Sequence, residues 1–96
     1  MAKGYWIAFY RSISNAAALA EYAKLASPAI EAGGGKFLGR GVPAKAYEAG
    51  LQERTVLIEF ESVAKAISTY ESDRYQTAAK LLHGAVVREI RIIEGA

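Results

Sequence analysis

Arg40 stands between two glycines, in Gly39-Arg40-Gly41. A guanidinium flanked by residues without side chains has open space around it, and its planar fork can grip a carboxylate through two parallel N–H donors. The competing role is a cross-strand ion pair with Glu59. The register decides between them, because a slip of one residue moves a strand side chain to the other face of its sheet. His83 is the only histidine. It is a candidate general base, since imidazole ordinarily titrates near neutrality. One residue before Gly84, it is equally placed to answer the dipole at a helix C-terminus. Tyr22, Tyr70 and Tyr75 complete the candidate set. Their rings suit a core, and their hydroxyls need partners when buried, so they either line a small ligand pocket or serve packing alone.

Other chemistries are excluded by what the chain lacks. It has no cysteine, hence no disulfide, thiolate nucleophile or thiolate-held metal. A lone histidine has no second histidine to share a metal or haem, and no carboxylate cluster has ligand spacing, so neither metal nor cofactor is expected. P-loop, dinucleotide and Gly-x-Ser-x-Gly signatures are absent. The net charge of +2 comes from scattered basic residues rather than a phosphate-tracking run, so nucleic acid is not an expected partner. Nor is a membrane, because no apolar run approaches the ~18 residues that a span requires. The reading expects one cytoplasmic domain over residues 1–96.

These side chains must be held by local structure. Tyr5 to Tyr10 is aromatic and β-branched, and reads as a strand. Asn15 suits a helix N-cap, and Leu19, Tyr22, Leu25 or Ala26, and Ile30 recur at helical spacing from about Ala16 to Ala32. Pro28 removes an N–H and is expected to kink or break that helix between about Lys24 and Pro28. Gly33-Gly34-Gly35 ends it, with the chain reversing at φ > 0. Lys36 to about Val42 reads as a second strand, interrupted by Pro43 and therefore at a sheet edge or a bulge, with Ala44 to Glu48 able to resume it. A hairpin loop over residues 49–52 leads to a third strand, Arg54 to Phe60. Ser62 caps a helix whose apolar face is Val63, Ala66, Ile67 and Tyr70. Ser72 restarts one whose stripe is Tyr75, Ala78, Ala79 and Leu82, ended by Gly84. Val86 to Glu94 is the fourth strand.

The order β-α-β-β-α-β predicts an α+β, ferredoxin-like fold: a four-stranded antiparallel sheet with its helices on one face. The first strand carries large apolar groups at both parities, and helices cover only one face. The other would be an apolar patch larger than a soluble monomer usually shows. Two sheets packed face to face in a homodimer would bury it most economically, the alternative being a ligand or nucleic acid that covers that face. Trp6, a residue type enriched at interfaces, is a candidate for that contact.

Gly34 to Gly41 resembles a G-G-x-F-x-x-R-G signature. Ile58-Glu59-Phe60 with Ser62 is similar to the third strand and cap of the same family, and Tyr70 with Ser72-Asp73-Arg74-Tyr75-Gln76 resembles its W-Y-x-S-x-x-Y-Q segment. Together these resemble domain of unknown function 1330, of the dimeric α/β-barrel superfamily. The resemblance implies a homodimer whose two sheets close into a barrel. Superfamily relatives include antibiotic-biosynthesis monooxygenases, haem-degrading oxygenases and muconolactone isomerases. The chain departs from the pattern at Val42, Leu19, Asn15 and His83, the last standing where an arginine is common. The expected function is a cofactor-independent enzyme of oxygenase or isomerase type acting on a small organic molecule. The alternative is a non-catalytic small-ligand binder or structural dimer. RNA binding is set aside, since residues 54–61 hold one aromatic and no glycine, unlike the third strand of an RNA-recognition motif.

Overall fold

The computed structural model describes residues 2–96. Its elements run β1 (Gly4–Ile13), α1 (Ala16–Ala32), β2 (Lys36–Gly41), β3 (Thr55–Phe60), α2 (Val63–Tyr70), α3 (Asp73–Ala79) and β4 (Val86–Glu94), with a 3-10 turn at Lys80–Leu82. The strands form one antiparallel sheet in the order β2-β3-β1-β4. Each helical segment therefore joins two parallel strands across an intervening one. Right-handed crossovers of that kind put both segments on the same face. This is the ferredoxin-like α+β fold, with the second helical segment split in two.

The splits and ends follow from local chemistry. Asn15, Ser62 and Ser72 each accept a first-turn N–H through the side chain, from Ala18, Lys65 and Tyr75 respectively. At the end of α1, only Gly34 of the three glycines takes a left-handed φ, +92°. The Gly35 N–H then donates to the Ile30 carbonyl at 2.9 Å and the Gly34 N–H to that of Glu31 at 3.0 Å, the bonding of a Schellman motif. Gly35 is needed for space instead: a Cβ there would lie 2.8 Å from the Phe60 ring.

Opposed residues of an antiparallel pair share a face. Trp6, Ala8 and Tyr10 of β1 stand opposite Ile58 and Val56 of β3 and opposite Ile92, Ile90 and Arg88 of β4. This face meets Tyr22, Ala26, Ala29 and Ile30 of α1 and Ala66, Tyr75 and Ala78 of α2 and α3, forming the core. Tyr5, Ile7 and Phe9 point the other way, with Leu57, and remain half-exposed in the single chain.

Four expectations change. Trp6 is not at the open face: it is 1% exposed among the helices, stacked on Phe60 and edge-on to Tyr70 and Tyr75. The parity of β1 alone could not say which apolar face the helices would take. Helix α1 passes through Pro28 without a break. Pro28 and Lys24 both lie on the exposed side, where water can satisfy the carbonyl that loses its donor. Residues 44–48 do not resume a strand, and β2 to β3 is bridged by a loop over residues 42–54 with Glu48 at φ 54°. Ile67 is exposed on α2, and Thr69 takes the buried position. The placement of β2 at the sheet edge, expected from Pro43, is as observed.

Candidate functional site

The register of β2 holds a bulge. Phe37 pairs with Ile58, Gly39 with Leu57 and Arg40 with Val56. In a regular strand residues 37 and 40 would lie on opposite faces. The extra residue at Leu38 flips the alternation, so Phe37 and Arg40 both face the helices. Lys36, rather than Arg40, stands opposite Glu59. Glu59 lies on the open face, accepting from the Tyr5 hydroxyl at 3.2 Å and pairing with Lys3 at 3.8 Å. The cross-strand pair between Arg40 and Glu59 is thus ruled out by the fold. The Arg40 guanidinium instead sits 4.4 Å over the Phe37 ring, with a long 3.5 Å contact from Nη1 to Ser27 Oγ.

Arg40 edges a cavity of about 30 Å³, room for one or two waters, between α1 and the sheet. Its floor is apolar, from Trp6, Ala8, Val56, Ile58 and Ile30. Its polar wall is Tyr10, Tyr22, Ser27, Arg54 and Arg88. Arg54, Tyr10 and Arg88 form a row across three strands: Tyr10 opposes Arg88, and the Tyr10 N–H donates to the Arg54 carbonyl at 3.0 Å.

Arg88 organises the polar wall. Its Nη1 donates to the hydroxyls of Tyr10 at 3.2 Å and Tyr22 at 3.3 Å, and its Nη2 to that of Tyr75 at 3.0 Å. The Tyr22 and Tyr75 hydroxyls also bond each other at 2.6 Å. Burial works against the charge on Arg88, but the oxygens of Tyr22, Tyr75 and Tyr10 outweigh it and hold the group protonated. Burial, reinforced by Tyr22, pushes the Tyr75 phenol well above the ordinary tyrosine value of 10.0, against the pull of Arg88. Tyr75 is therefore a neutral donor here and not a phenolate base. Because its folded pKa lies above its unfolded one, its contribution to stability is whole below about pH 10 and is lost as pH rises beyond. Alkaline titration followed by circular dichroism should show this loss, and Tyr75→Phe should flatten it.

Among the described residues, no carboxylate lines the cavity. The ion pairs among the described residues join Lys3–Glu59, Arg11–Glu89, Lys24–Glu21 and Arg91–Glu89, and none includes Arg40, Arg54 or Arg88. Arg54 Nε is buried with no hydrogen-bond partner among the described residues. Also among the described residues, no group of three or more His, Asp or Glu is placed to hold a metal ion, and no helix is long and apolar enough to cross a membrane.

Of the residues singled out in the sequence, Arg40 and Tyr22 share this cavity, and Tyr75 lies directly behind Tyr22, fully buried. Tyr70 and His83 do not join them. They border an open groove of about 560 Å³ beside β4 with Gln76 and Val87, and Arg88 lines both this groove and the cavity. Arg54, Arg88 and Tyr10 were missed. A signal existed: Arg54 shares the parity of Val56, Ile58 and Phe60, and Arg88 that of Ile90 and Ile92. A charge in the apolar phase of a strand must either be paired or face a cavity.

Solved structures share this architecture. A protein of unknown function from Rhodopseudomonas palustris is 21% identical, with a TM-score of 0.70 over 97% of this chain and 80% of that one. A candidate antibiotic biosynthesis monooxygenase from Nitrosomonas europaea is 19% identical, with a TM-score of 0.59 over 99% of this chain and 98% of that one. A dimeric protein of unknown function and ferredoxin-like fold from Bacteroides fragilis is 13% identical, with a TM-score of 0.56 over 96% and 95%. At these identities the likeness is one of fold. Among curated proteins none matches the chain. The family described as Domain of unknown function (DUF1330) matches residues 3–96, nearly the whole length, and the chain belongs to it.

Proposed function

We propose that this protein binds a small organic anion in the cavity between α1 and the sheet, as a homodimer joined through its open sheet faces. One observation carries the ligand reading: three guanidiniums edge an apolar-floored cavity with no carboxylate to neutralise them. Charged donors left together in that way favour an anionic guest strongly, because a charge-assisted contact in a partly dry site is worth more than one in water. The apolar floor would hold the carbon body, with Tyr10 and Tyr22 orienting it. The free volume is small, so entry requires Arg40 to swing. Arg40 is exposed and held by its stack on the Phe37 ring and one long contact to Ser27, so the movement breaks only surface contacts.

A second reading is a cofactor-independent isomerase or oxygenase acting on such a molecule. The same donors that hold a carboxylate would stabilise a developing enolate oxygen, which favours it. The candidate monooxygenase among the structural neighbours is consistent with that chemistry. The named polar lining, of arginine, tyrosine and serine, has no group that ordinarily titrates near neutrality, and this supports binding first. His83 borders the other groove, which Arg88 lines as well.

Arg40→Ala tests the site. Screening small organic acids by thermal shift, then titrating a hit calorimetrically, should show affinity falling roughly ten- to a hundredfold, since a charge-assisted contact is worth ~1.5–3 kcal/mol. Glu59→Ala, on the opposite face, should leave that affinity unchanged. Equal losses in both variants would reject the site.

A further inference from the structure

Resting on the anion-site reading, we propose that the guest is a short dicarboxylate, with one carboxylate held by Arg54 and the Tyr10 hydroxyl and the other at the rim by Arg40. Three features of the cavity lead there. The first is charge. Arg40, Arg54 and Arg88 place three formal positive charges around one small space with no acid in its lining. A monocarboxylate leaves two of them uncompensated, and like charges at such separations repel by amounts a second carboxylate would relieve.

The second feature is the count of donors and acceptors. The hydroxyls of Tyr10, Tyr22 and Tyr75 each accept from Arg88. Three phenol protons remain, and one is used between Tyr22 and Tyr75. The Tyr10 hydroxyl, which accepts from Arg88, has its own proton to offer, and among the described residues the buried Arg54 Nε has no hydrogen-bond partner. One unpartnered donor and one hydroxyl proton on the same row suit a carboxylate with two oxygens, and leaving Arg54 Nε empty carries the desolvation cost of an unpaired polar group.

The third feature is spacing. Arg40 is opposite Val56, two residues along the chain from Arg54, which immediately precedes β3. Two residues of strand span about 7 Å, with Val56 and Ala8 forming an apolar strip beside the gap. Phosphate would concentrate its charge at one point. The charges here are spread over three strands with an apolar floor between, which suits two carboxylates joined by a short carbon chain.

The test is calorimetric titration of the intact protein with succinate, butyrate and inorganic phosphate, at low and physiological salt. Succinate is expected to bind at least about tenfold tighter than butyrate, from one added charge-assisted contact, and tighter than phosphate. In Arg54→Gln the succinate-to-butyrate ratio should fall towards unity, and Arg54→Lys should restore part of it, with each variant's melting temperature recorded to show that it is folded. Equal binding of succinate and butyrate by the natural chain would overturn the dicarboxylate assignment while leaving the anion site standing. Phosphate matching succinate would overturn it in favour of a point-charge site. An unchanged ratio in Arg54→Gln would remove Arg54 from the clamp. No binding of any of the three would reject the anion site together with the proposal.

Discussion

Trp6→Ala is expected to cost about 3–5 kcal/mol of folding stability, at the upper end for a single core truncation. Trp6 is 1% exposed and lies at the centre of an aromatic cluster, 6.0 Å from the Phe60 ring, 5.4 Å from that of Tyr70 and 4.8 Å from that of Tyr75. The edge-on pairs add to the area term, because aromatic rings meeting in that geometry gain beyond burial. Alanine would leave a void that the two helices and the sheet cannot both close. For a domain of this size each kcal/mol moves the melting temperature by roughly 4–8 °C, so a fall on the order of 20 °C should appear in thermal denaturation. Added indole should recover part of it, by filling the void in the folded state only. A loss below about 1 kcal/mol would mean that Trp6 does not pack against the helices.

Leu57→Lys is expected to turn a homodimer into a monomer, raising the dissociation constant by more than about a hundredfold. Leu57 faces the open side of the sheet, opposite Ile7 on β1 and Gly39 on β2. Across a twofold axis the substitution enters the interface twice, and each lysine would be an unpaired charge in an apolar contact. The monomer itself should survive, since this side chain points away from the helix-side core. Light scattering and sedimentation at micromolar concentration check both points. The natural chain should give twice the monomer mass, with at least ~1,200 Å² buried in the pair. A monomeric natural chain, or a dimer indifferent to Leu57→Lys, would reject sheet-to-sheet association.

The sequence by itself determined the elements. Side-chain period, three capping residues and the glycine run after α1 act within a few residues of chain, so β1, α1, β3 and the two short helices lie close to where their residues call for them. The order of those elements then restricts the fold, because crossovers keep one hand and helices need an apolar sheet to cover. It also placed Arg40 on the edge strand and Tyr75 on a buried stripe.

Only tertiary structure decided which apolar face of β1 the helices would take, and so whether Trp6 is core or surface. Both parities of that strand are apolar, and nothing local separates them. Only tertiary structure decided the face of Arg40, because the bulge at Leu38 exists between strands and not within one. A single extra residue moves Arg40 from the open face, opposite Thr55, to the helix face beside Phe37 and Ser27. The convergence of Arg40, Arg54 and Arg88 belongs to the same level. They are separated along the chain by a loop, two helices and a strand, and meet only because the sheet order sets β3 and β1 between their edges. Tyr70 and His83 show the converse. Close to Tyr75 in sequence, they are carried to a different groove by the helix break at Ser72 and the turn before β4, where direction depends on packing and not on spacing.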